Sequence, residues 1–265
     1  MVRILSAFVF IGVVLAGVFA GLYGVYALVV LLGGLALWEF RGLSDRMGSR
    51  APSWLLFPLG AFFACSGTVL KQVDLGLVLS LALVAGLGVL VVLPGQRQGL
   101  GRWAMGVAGA LYVGMPFNYY LLLYTSKPNG LVWTVFTVFA VLACDAAALL
   151  VGSRLGRHPF FTAISPHKTV EGAIAGVVAS VVVMLVGVSM VLGVSPWHAI
   201  ALGMLVGLSA QMGDLVESQM KRIAGVKDSS HLIPGHGGVL DRLDSILFPP
   251  ILVYFYLLMF GLLTR

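Results

Sequence analysis

Charged residues are scarce in this chain. Asp, Glu, Lys and Arg together make up only 10% of its 265 residues, whereas hydrophobic residues make up 60%. Soluble globular domains are charged at about a quarter of their positions, so this composition excludes that class. Apolar runs of about 18 to 23 residues recur along the whole chain, which is the length that crosses a bilayer as a helix. The sequence therefore predicts an all-α, polytopic integral membrane protein.

Cysteine and internal repeats are also nearly absent. Cys65 and Cys144 are the only two cysteines, and both fall inside predicted membrane spans. Neither a disulfide framework nor a zinc site is therefore indicated. The chain shows no repeat and no inverted pair of halves, which weakens a transporter interpretation but does not exclude it.

The apolar runs divide into about nine membrane spans. Ile4 to Phe40 is one run that is too long for a single ordinary crossing, so we expect it to turn near Gly21 and Gly24. An uncleaved first span is favoured over a secretory signal, because no hydrophilic domain follows. The predicted spans are residues 4–20, 22–40, 54–70, 75–93, 103–124, 130–152, 170–192, 198–220 and 246–263.

Basic residues are distributed unevenly between the two faces that these spans create. Of the 16 Lys and Arg residues, only Lys71, Lys127 and Arg265 fall on one face. Because basic loops stay in the cytosol, we predict a cytosolic amino terminus and a cytosolic loop at residues 221–244. The net charge of +6 thus reflects topology, with a contribution from anionic substrates or membrane lipids. It gives no support for nucleic-acid binding.

Glycine is abundant, and several of the 34 glycines are spaced for close helix packing. Gly172 with Gly176 and Gly203 with Gly207 are examples, and this spacing lets helix backbones approach one another in lipid. Packing within one bundle is the favoured explanation, and the seam of a homodimer is the alternative.

Polar residues form a stripe on the eighth predicted span. Gln211, Asp214, Glu217, Ser218 and Lys221 are spaced at three, four and seven positions, so they share one face of a helix. Carboxylates within apolar spans are costly, so this face must line the protein interior or a wet cavity. A functional role is therefore predicted for Asp214.

Two further carboxylates interrupt apolar segments. Asp145 lies in the sixth predicted span, where a functional role is favoured over a buried polar contact with a neighbouring helix. Glu39 closes the second span near the predicted cytosolic interface, where a solvated helix end is enough to explain it.

The loop after the eighth span combines acids, cations and glycines. Asp214 lies toward the end of the span and Asp241 precedes the next one, so the two can meet across the loop and hold a hard cation such as Mg²⁺. Glycines let backbone N–H groups approach anionic oxygens, which lysine and arginine neutralise. The loop therefore predicts a polyphosphate site, with candidates at Lys221, Arg222, Lys227, His236, Gly237, Gly238 and Arg242.

A second predicted cytosolic loop has a similar character. Ser165 with Pro166 is typical of a turn or cap before the seventh span, and Glu171 falls in the first turn of that span. Arg154 and Lys168 beside them are predicted to contact phosphates or lipid headgroups.

The two loops together resemble a known family, the phosphatidate cytidylyltransferases, also called CDP-diacylglycerol synthases. The segments around Asp145 and Lys168 are similar to that family, and residues 218–244 are similar to its signature. His167 and Ser230 stand where the family often has glycine, and Leu149 stands where an aromatic residue is common. The signature positions are Ser218, Lys221, Arg222, Lys227, Asp228, Pro234, His236, Gly237, Gly238, Asp241, Arg242 and Asp244.

The resemblance implies transfer of a cytidylyl group from CTP to phosphatidic acid, which gives CDP-diacylglycerol and pyrophosphate and requires Mg²⁺. It implies Asp214 and Asp241 as metal ligands and Asp145 as a third ligand or support, and it leaves a second cation open. Positioning and charge neutralisation then suffice for catalysis. The catalytic candidates are therefore Asp214, Asp241, Lys227 and His236. Phosphate contacts are assigned to Lys168, Ser218, Lys221, Arg222, Gly237, Gly238 and Arg242.

The sequence divides into two predicted regions, and two alternative functions stay open. Residues 1–124 are expected to form about five amino-terminal spans, and residues 125–265 a catalytic region that holds the signature at 218–244. Another CTP-dependent lipid phosphotransferase is the nearer alternative. An ion-coupled transporter, with Asp145 and Asp214 on an ion pathway, is the other. Compact loops favour a prokaryotic plasma membrane, with the active site facing the cytosol.

Overall fold

The computed structural model describes residues 2–70, 72–92, 99–235 and 237–263. Within these ranges the chain is all-helical, and its extended segments amount to two isolated β-bridges. The described helices are α1 (Val2–Phe19), α2 (Leu22–Arg46), α3 (Ser53–Cys65), α4 (Leu75–Val92), α5 (Gly99–Thr125), α6 (Gly130–Leu155), α7 (Val170–Leu192), α8 (Pro196–Ile223), α9 (Leu240–Leu243) and α10 (Pro249–Met259).

Five of these helices, α2, α5, α6, α7 and α8, are long and apolar enough to cross a membrane. Large hydrophobic side chains such as Val30, Val182 and Met259 are exposed on the helices, which suits contact with lipid. The prediction of an all-helical fold is confirmed, and the five candidate spans support a multi-pass membrane protein. The count of nine crossings and the cytosolic amino terminus stay predictions.

One compact unit comprises Met1–Leu121 and Ile223–Asp241. Within it α2 packs against α5 so closely that a Cβ at Gly109 would collide with the Phe40 ring. Phe40 itself is buried. Position 40 of α2 is therefore interior to this unit, and Glu39 lies next to it in the chain.

A second compact unit comprises Leu122–Arg222 and Arg242–Arg265. Apolar residues of α6, α7, α8 and α10 form its core. The buried members of this core are Leu123, Trp133, Ala140, Val141, Met184, Val188, Leu202, Val206, Ala210, Val253 and Leu257.

Glycines bring the helices of the second unit together. A Cβ at Gly172 would lie 2.7 Å from the carbonyl oxygen of Ala148 on α6, and one at Gly207 would lie 2.9 Å from the Cα of Val177 on α7. These contacts support the favoured explanation of the glycine spacing, which is packing within one bundle. The homodimer seam stays a prediction.

The bounds of the two compact units differ in one respect from those of the two regions predicted from the sequence. Ile223–Asp241, which carries much of the signature, groups with the amino-terminal helices. The functional division into residues 1–124 and 125–265 stays a prediction.

Candidate functional site

The chain between α8 and α9 is a glycine-rich loop in the first unit. Gly225, Gly235 and Gly237 have φ angles of 68°, 77° and 77°, a region that glycine enters freely because it has no Cβ. The Ile233 N–H donates to the Gly237 carbonyl oxygen over 2.8 Å, which closes a turn. His236, a predicted phosphate contact within this turn, lies outside the described residues.

Asp241 is held by the loop that precedes it. Its residue surface is 8% exposed. Its Oδ2 accepts hydrogen bonds from the Ser229 N–H (2.8 Å), the Ser229 hydroxyl (2.7 Å) and the Gly238 N–H (2.7 Å). Hydrogen bonds to an ionised carboxylate are stronger than those between neutral groups. The predicted metal ligand is therefore oriented by short bonds within its own loop.

Glu39 is where the sequence-based prediction was wrong. A solvated helix end was expected, but only 1% of this residue is exposed. Its Oε1 accepts hydrogen bonds from the Ser230 hydroxyl (2.7 Å) and the Val239 N–H (2.9 Å). Its Oε2 accepts from the Ser229 hydroxyl (3.0 Å) and the Leu240 N–H (2.6 Å). Three donors from residues 230–240, and the Ser229 hydroxyl when its proton points to Glu39, thus compensate for the loss of water around this carboxylate.

Ser229 and Gly238 connect the two carboxylates. The Ser229 hydroxyl lies within hydrogen-bond distance of both Asp241 and Glu39. It carries one proton and so donates to one of them at a time. A Cβ at Gly238 would collide with the Ser229 hydroxyl and with both Glu39 oxygens. Glycine is therefore required at position 238 by the carboxylate packed against it, and its N–H is engaged by Asp241.

In the second unit, α8 carries the predicted polar stripe. Asp214 Oδ2 lies 2.7 Å from the Lys168 Nζ, and Asp214 Oδ1 accepts a hydrogen bond from the Ser218 hydroxyl over 3.2 Å. The Asp214 side chain is 34% exposed, so ligands can reach it. The structure thus brings three predicted site residues together from two separate segments of the chain.

One turn further along α8, Glu217 forms an ion pair with Lys221. Glu217 is fully buried, and an ion pair in such a place is held only while both charges are present. Lys221, a predicted phosphate contact, therefore already has a carboxylate partner. Arg222 Nε donates to the Ile164 carbonyl oxygen over 3.1 Å, which connects the end of α8 to the loop before α7.

Two more acidic residues of the second unit lie near this stripe. Asp145 Oδ2 accepts a hydrogen bond from the Ser245 hydroxyl over 2.7 Å. Burial raises the pKa of the Asp244 carboxyl well above its usual range, and the carboxylates of Asp214 and Glu217 raise that pKa further. Acidic side chains are thus concentrated here, and their oxygens are the kind of ligand that a hard cation prefers.

The loop between α6 and α7 places Lys168. The Thr169 hydroxyl oxygen caps α7 by accepting the Gly172 N–H over 3.2 Å. Glu171 Oε2 accepts two backbone N–H groups from the start of the loop. The predicted turn is present, because the Lys168 N–H donates to the Ser165 carbonyl oxygen over 3.3 Å. The cap, however, is Thr169 and not Ser165.

The predicted site residues belong to both compact units. Lys227, Gly237, Gly238 and Asp241 fall in the first. The second contains Asp145, Lys168, Asp214, Ser218, Lys221, Arg222 and Arg242. Among the described residues, no group of three or more His, Cys, Asp and Glu residues is placed to hold a metal ion. Mg²⁺ commonly takes only one or two protein carboxylates, so the pairing of Asp214 with Asp241 stays a prediction.

Known proteins provide an independent comparison. A family described as the cytidylyltransferase family matches residues 1–260 of this chain. Relatives named phosphatidate cytidylyltransferase are 41% identical in Staphylococcus saprophyticus, 38% in Staphylococcus haemolyticus and 39% in Staphylococcus aureus, each over 138 residues. Each alignment covers 52% of this chain and 52% of the relative. The chain thus spans about half the length of the curated relatives it matches.

Proposed function

This chain belongs to the cytidylyltransferase family, and we propose that it transfers a cytidylyl group from CTP to phosphatidic acid. The products are pyrophosphate and CDP-diacylglycerol, a precursor for phospholipid synthesis. The observation that carries the proposal is the cluster of Asp214, Lys168 and Ser218, on and beside a helix apolar enough to cross a membrane. Such a cluster suits a reaction in which a polar nucleotide meets a lipid phosphate.

The reaction brings two anions together. A phosphate oxygen of phosphatidic acid attacks the α-phosphorus of CTP, and the bond from that phosphorus to the departing pyrophosphate breaks. Positioning and charge neutralisation lower this barrier, and no side-chain nucleophile is required. The proposed phosphate contacts are Lys168, Ser218, Lys221, Arg222, Lys227, His236, Gly237, Gly238 and Arg242.

The carboxylates fit Mg²⁺ by their donor chemistry. Asp214 and Asp241 offer hard oxygen ligands, with Asp145 as a third ligand or support. Burial raises the pKa of Asp244 most, and the nearby carboxylates of Asp214 and Glu217 raise it further, so a cation bound beside them would offset their repulsion. When bound, Mg²⁺ would neutralise phosphate charge and polarise the reacting phosphoryl group.

CTP labelled at different phosphates tests the proposal. Purified protein is incubated with Mg²⁺, phosphatidic acid in detergent micelles, and CTP labelled at either the α- or the γ-phosphate. We expect the α-label in the lipid and the γ-label in pyrophosphate. Lipid that carries the γ-label would instead identify a lipid phosphotransferase. Absence of label from the lipid in both cases would contradict both functions.

We further propose that the site faces the cytosol of a prokaryotic cell and that the carboxyl terminus lies outside. The support is the uneven distribution of Lys and Arg between the two predicted faces. A carboxyl-terminal fusion to a phosphatase that folds only outside the cytosol should be active. A carboxyl-terminal fluorescent protein that matures only in the cytosol should be dark, and fluorescence there would contradict the nine-span topology.

A further inference from the structure

Glu39 joins α2 to signature residues that lie 190 to 201 positions further along the chain. Its two oxygens lie within hydrogen-bond distance of four donors, all of them in residues 229–240, directly before Asp241. We propose that Glu39 is a positioning residue, which holds this loop so that the Asp241 carboxylate keeps the orientation needed for its ligand. The inference rests on the proposed function, because that function gives Asp241 its role as a metal ligand.

The donors around Glu39 demand a carboxylate. Oε1 faces the Val239 N–H and Oε2 faces the Leu240 N–H. A serine hydroxyl can turn to accept a hydrogen bond, but a backbone N–H cannot. A glutamine at position 39 would therefore set its NH₂ group against one of these two N–H groups and leave a buried donor unsatisfied. Two acceptor oxygens are needed, and only Asp or Glu supplies them.

The influence of Glu39 reaches Asp241 through two short connections. The Ser229 hydroxyl contacts both carboxylates. In addition, three consecutive N–H groups are divided between them, since Gly238 donates to Asp241 while the next two residues donate to Glu39. A backbone rotation that frees the Glu39 donors therefore also moves the Gly238 N–H away from Asp241.

A purely structural role for Glu39 makes a different prediction. A residue that only stabilises the fold would lower the melting temperature but leave the response of the folded enzyme to Mg²⁺ unchanged. Ser44 provides a matched control on the same helix, because it is also buried. Its hydroxyl accepts from the Ala51 N–H over 2.9 Å and donates to the Arg41 carbonyl over 2.8 Å. These bonds lie on α2 and the segment that follows it.

The experiment compares Glu39→Gln, Glu39→Asp and Ser44→Ala in the full-length, purified protein. Hydrogen–deuterium exchange reports on peptides that cover residues 229–241, and CDP-lipid formation is measured across a range of Mg²⁺ concentrations. In Glu39→Gln, amide exchange at 238–240 should accelerate at least about tenfold. The Mg²⁺ midpoint should rise roughly 10- to 100-fold, as for partners that orient a metal ligand. Glu39→Asp keeps the charge, so its amide exchange at 238–240 and its Mg²⁺ midpoint should lie between those of the wild-type protein and of Glu39→Gln.

Each outcome decides the inference. A folded Glu39→Gln protein with unchanged loop exchange, or with an unchanged Mg²⁺ midpoint, overturns the positioning role. A Ser44→Ala protein with faster loop exchange and a raised Mg²⁺ midpoint would overturn it as well. If Glu39→Gln fails to fold, Ser230→Ala replaces it, because it removes one Glu39 donor. Ser230 also accepts the Leu232 N–H, so exchange is then read at residues 238–240, where unchanged exchange overturns the positioning role. If the wild-type protein makes no CDP-lipid, the proposed function fails separately, while the exchange data still show whether Glu39 holds the loop.

Discussion

Two carboxylates in each compact unit are stabilised by different kinds of partner. In the first unit, Glu39 and Asp241 accept hydrogen bonds from backbone N–H groups and serine hydroxyls. In the second unit, Asp214 and Glu217 are paired with lysines. Backbone donors cannot leave without moving the chain, whereas the partly exposed Lys168 can leave Asp214 through side-chain rotations alone. We therefore expect the backbone-held carboxylates, Glu39 and Asp241, to fix the geometry of the loop, and the lysine-paired carboxylates, Asp214 and Glu217, to hold positive charge beside them.

The largest effect is expected where one carboxylate of each kind is proposed to bind the same metal. Asp214→Asn and Asp241→Asn keep the size of the side chain but remove the charge that Mg²⁺ needs. Each variant should lose activity by roughly 10²- to 10³-fold or more. The double variant should lose little beyond that, since parts of one unit are not additive.

Rates of CDP-lipid formation against Mg²⁺ concentration, for both single variants and the double one, measure this effect. A near-normal rate with an unchanged Mg²⁺ midpoint in either single variant would remove that residue from the metal site. Fully additive losses in the double variant would show that the two aspartates act independently.

A smaller effect is expected from Gly238→Ala, which tests the rigidity of the backbone-held carboxylates. The added Cβ would collide with the Glu39 oxygens, so the loop must shift. Overpacking of this kind costs about 1–3 kcal/mol of stability, and we expect turnover to fall roughly tenfold or more because Asp241 loses its orientation. Gly42→Ala on α2 is the control, since no atom lies within 4 Å of a Cβ built there. Wild-type turnover in Gly238→Ala would refute the rigid arrangement.

How much of this arrangement the sequence predicts depends on the separation of the partners. The span predicted at residues 170–192 is α7, and the Asp214–Ser218 and Glu217–Lys221 contacts follow from the period of a helix. The Glu39 contacts cross 190 or more positions. No local pattern marks such a pairing, and the apolar run around Glu39 made an interfacial position the simpler prediction.

Local chemistry is ambiguous over a few residues as well. Ser165 and Thr169 both lie just before α7, and either hydroxyl oxygen is suited to cap a helix. Thr169 takes that role because its backbone is extended, with φ −127° and ψ 152°, directly before the first helical residue. The sequence thus locates the start of α7 but does not identify its cap.

Asp244 provides a further test of the comparison, because it lies near two other carboxylates. Burial and the charges of Asp214 and Glu217 raise its pKa, so the folded protein binds this proton more tightly than the unfolded chain does. Its contribution to stability therefore falls as pH rises from about 4, the unfolded pKa, up to the raised folded pKa, and stays low above it. Asp244→Asn should raise the melting temperature of metal-free protein at neutral pH by a few degrees.

The difference in melting temperature between Asp244→Asn and the wild-type protein is measured by thermal unfolding in the presence of a chelator, from about pH 4 to 8. The gain should shrink toward the acid end of the range, and Mg²⁺ should reduce it at neutral pH because a cation offsets the same repulsion. A melting-temperature difference that does not depend on pH would contradict the raised pKa.

The smallest effect is expected from a pair of matched serine substitutions that test the comparison directly. Ser230→Ala removes one hydroxyl donor from Glu39, and Ser218→Ala removes one from Asp214. Glu39 keeps its two backbone donors, so Ser230→Ala should cost about 1 kcal/mol or less and raise loop exchange only a few-fold. Asp214 keeps its ion pair with Lys168, whose Nζ lies 2.7 Å from Oδ2. Ser218→Ala should therefore leave exchange at residues 229–241 unchanged. Equal acceleration of loop exchange in both variants would show that backbone-held and lysine-paired carboxylates do not differ in the way proposed.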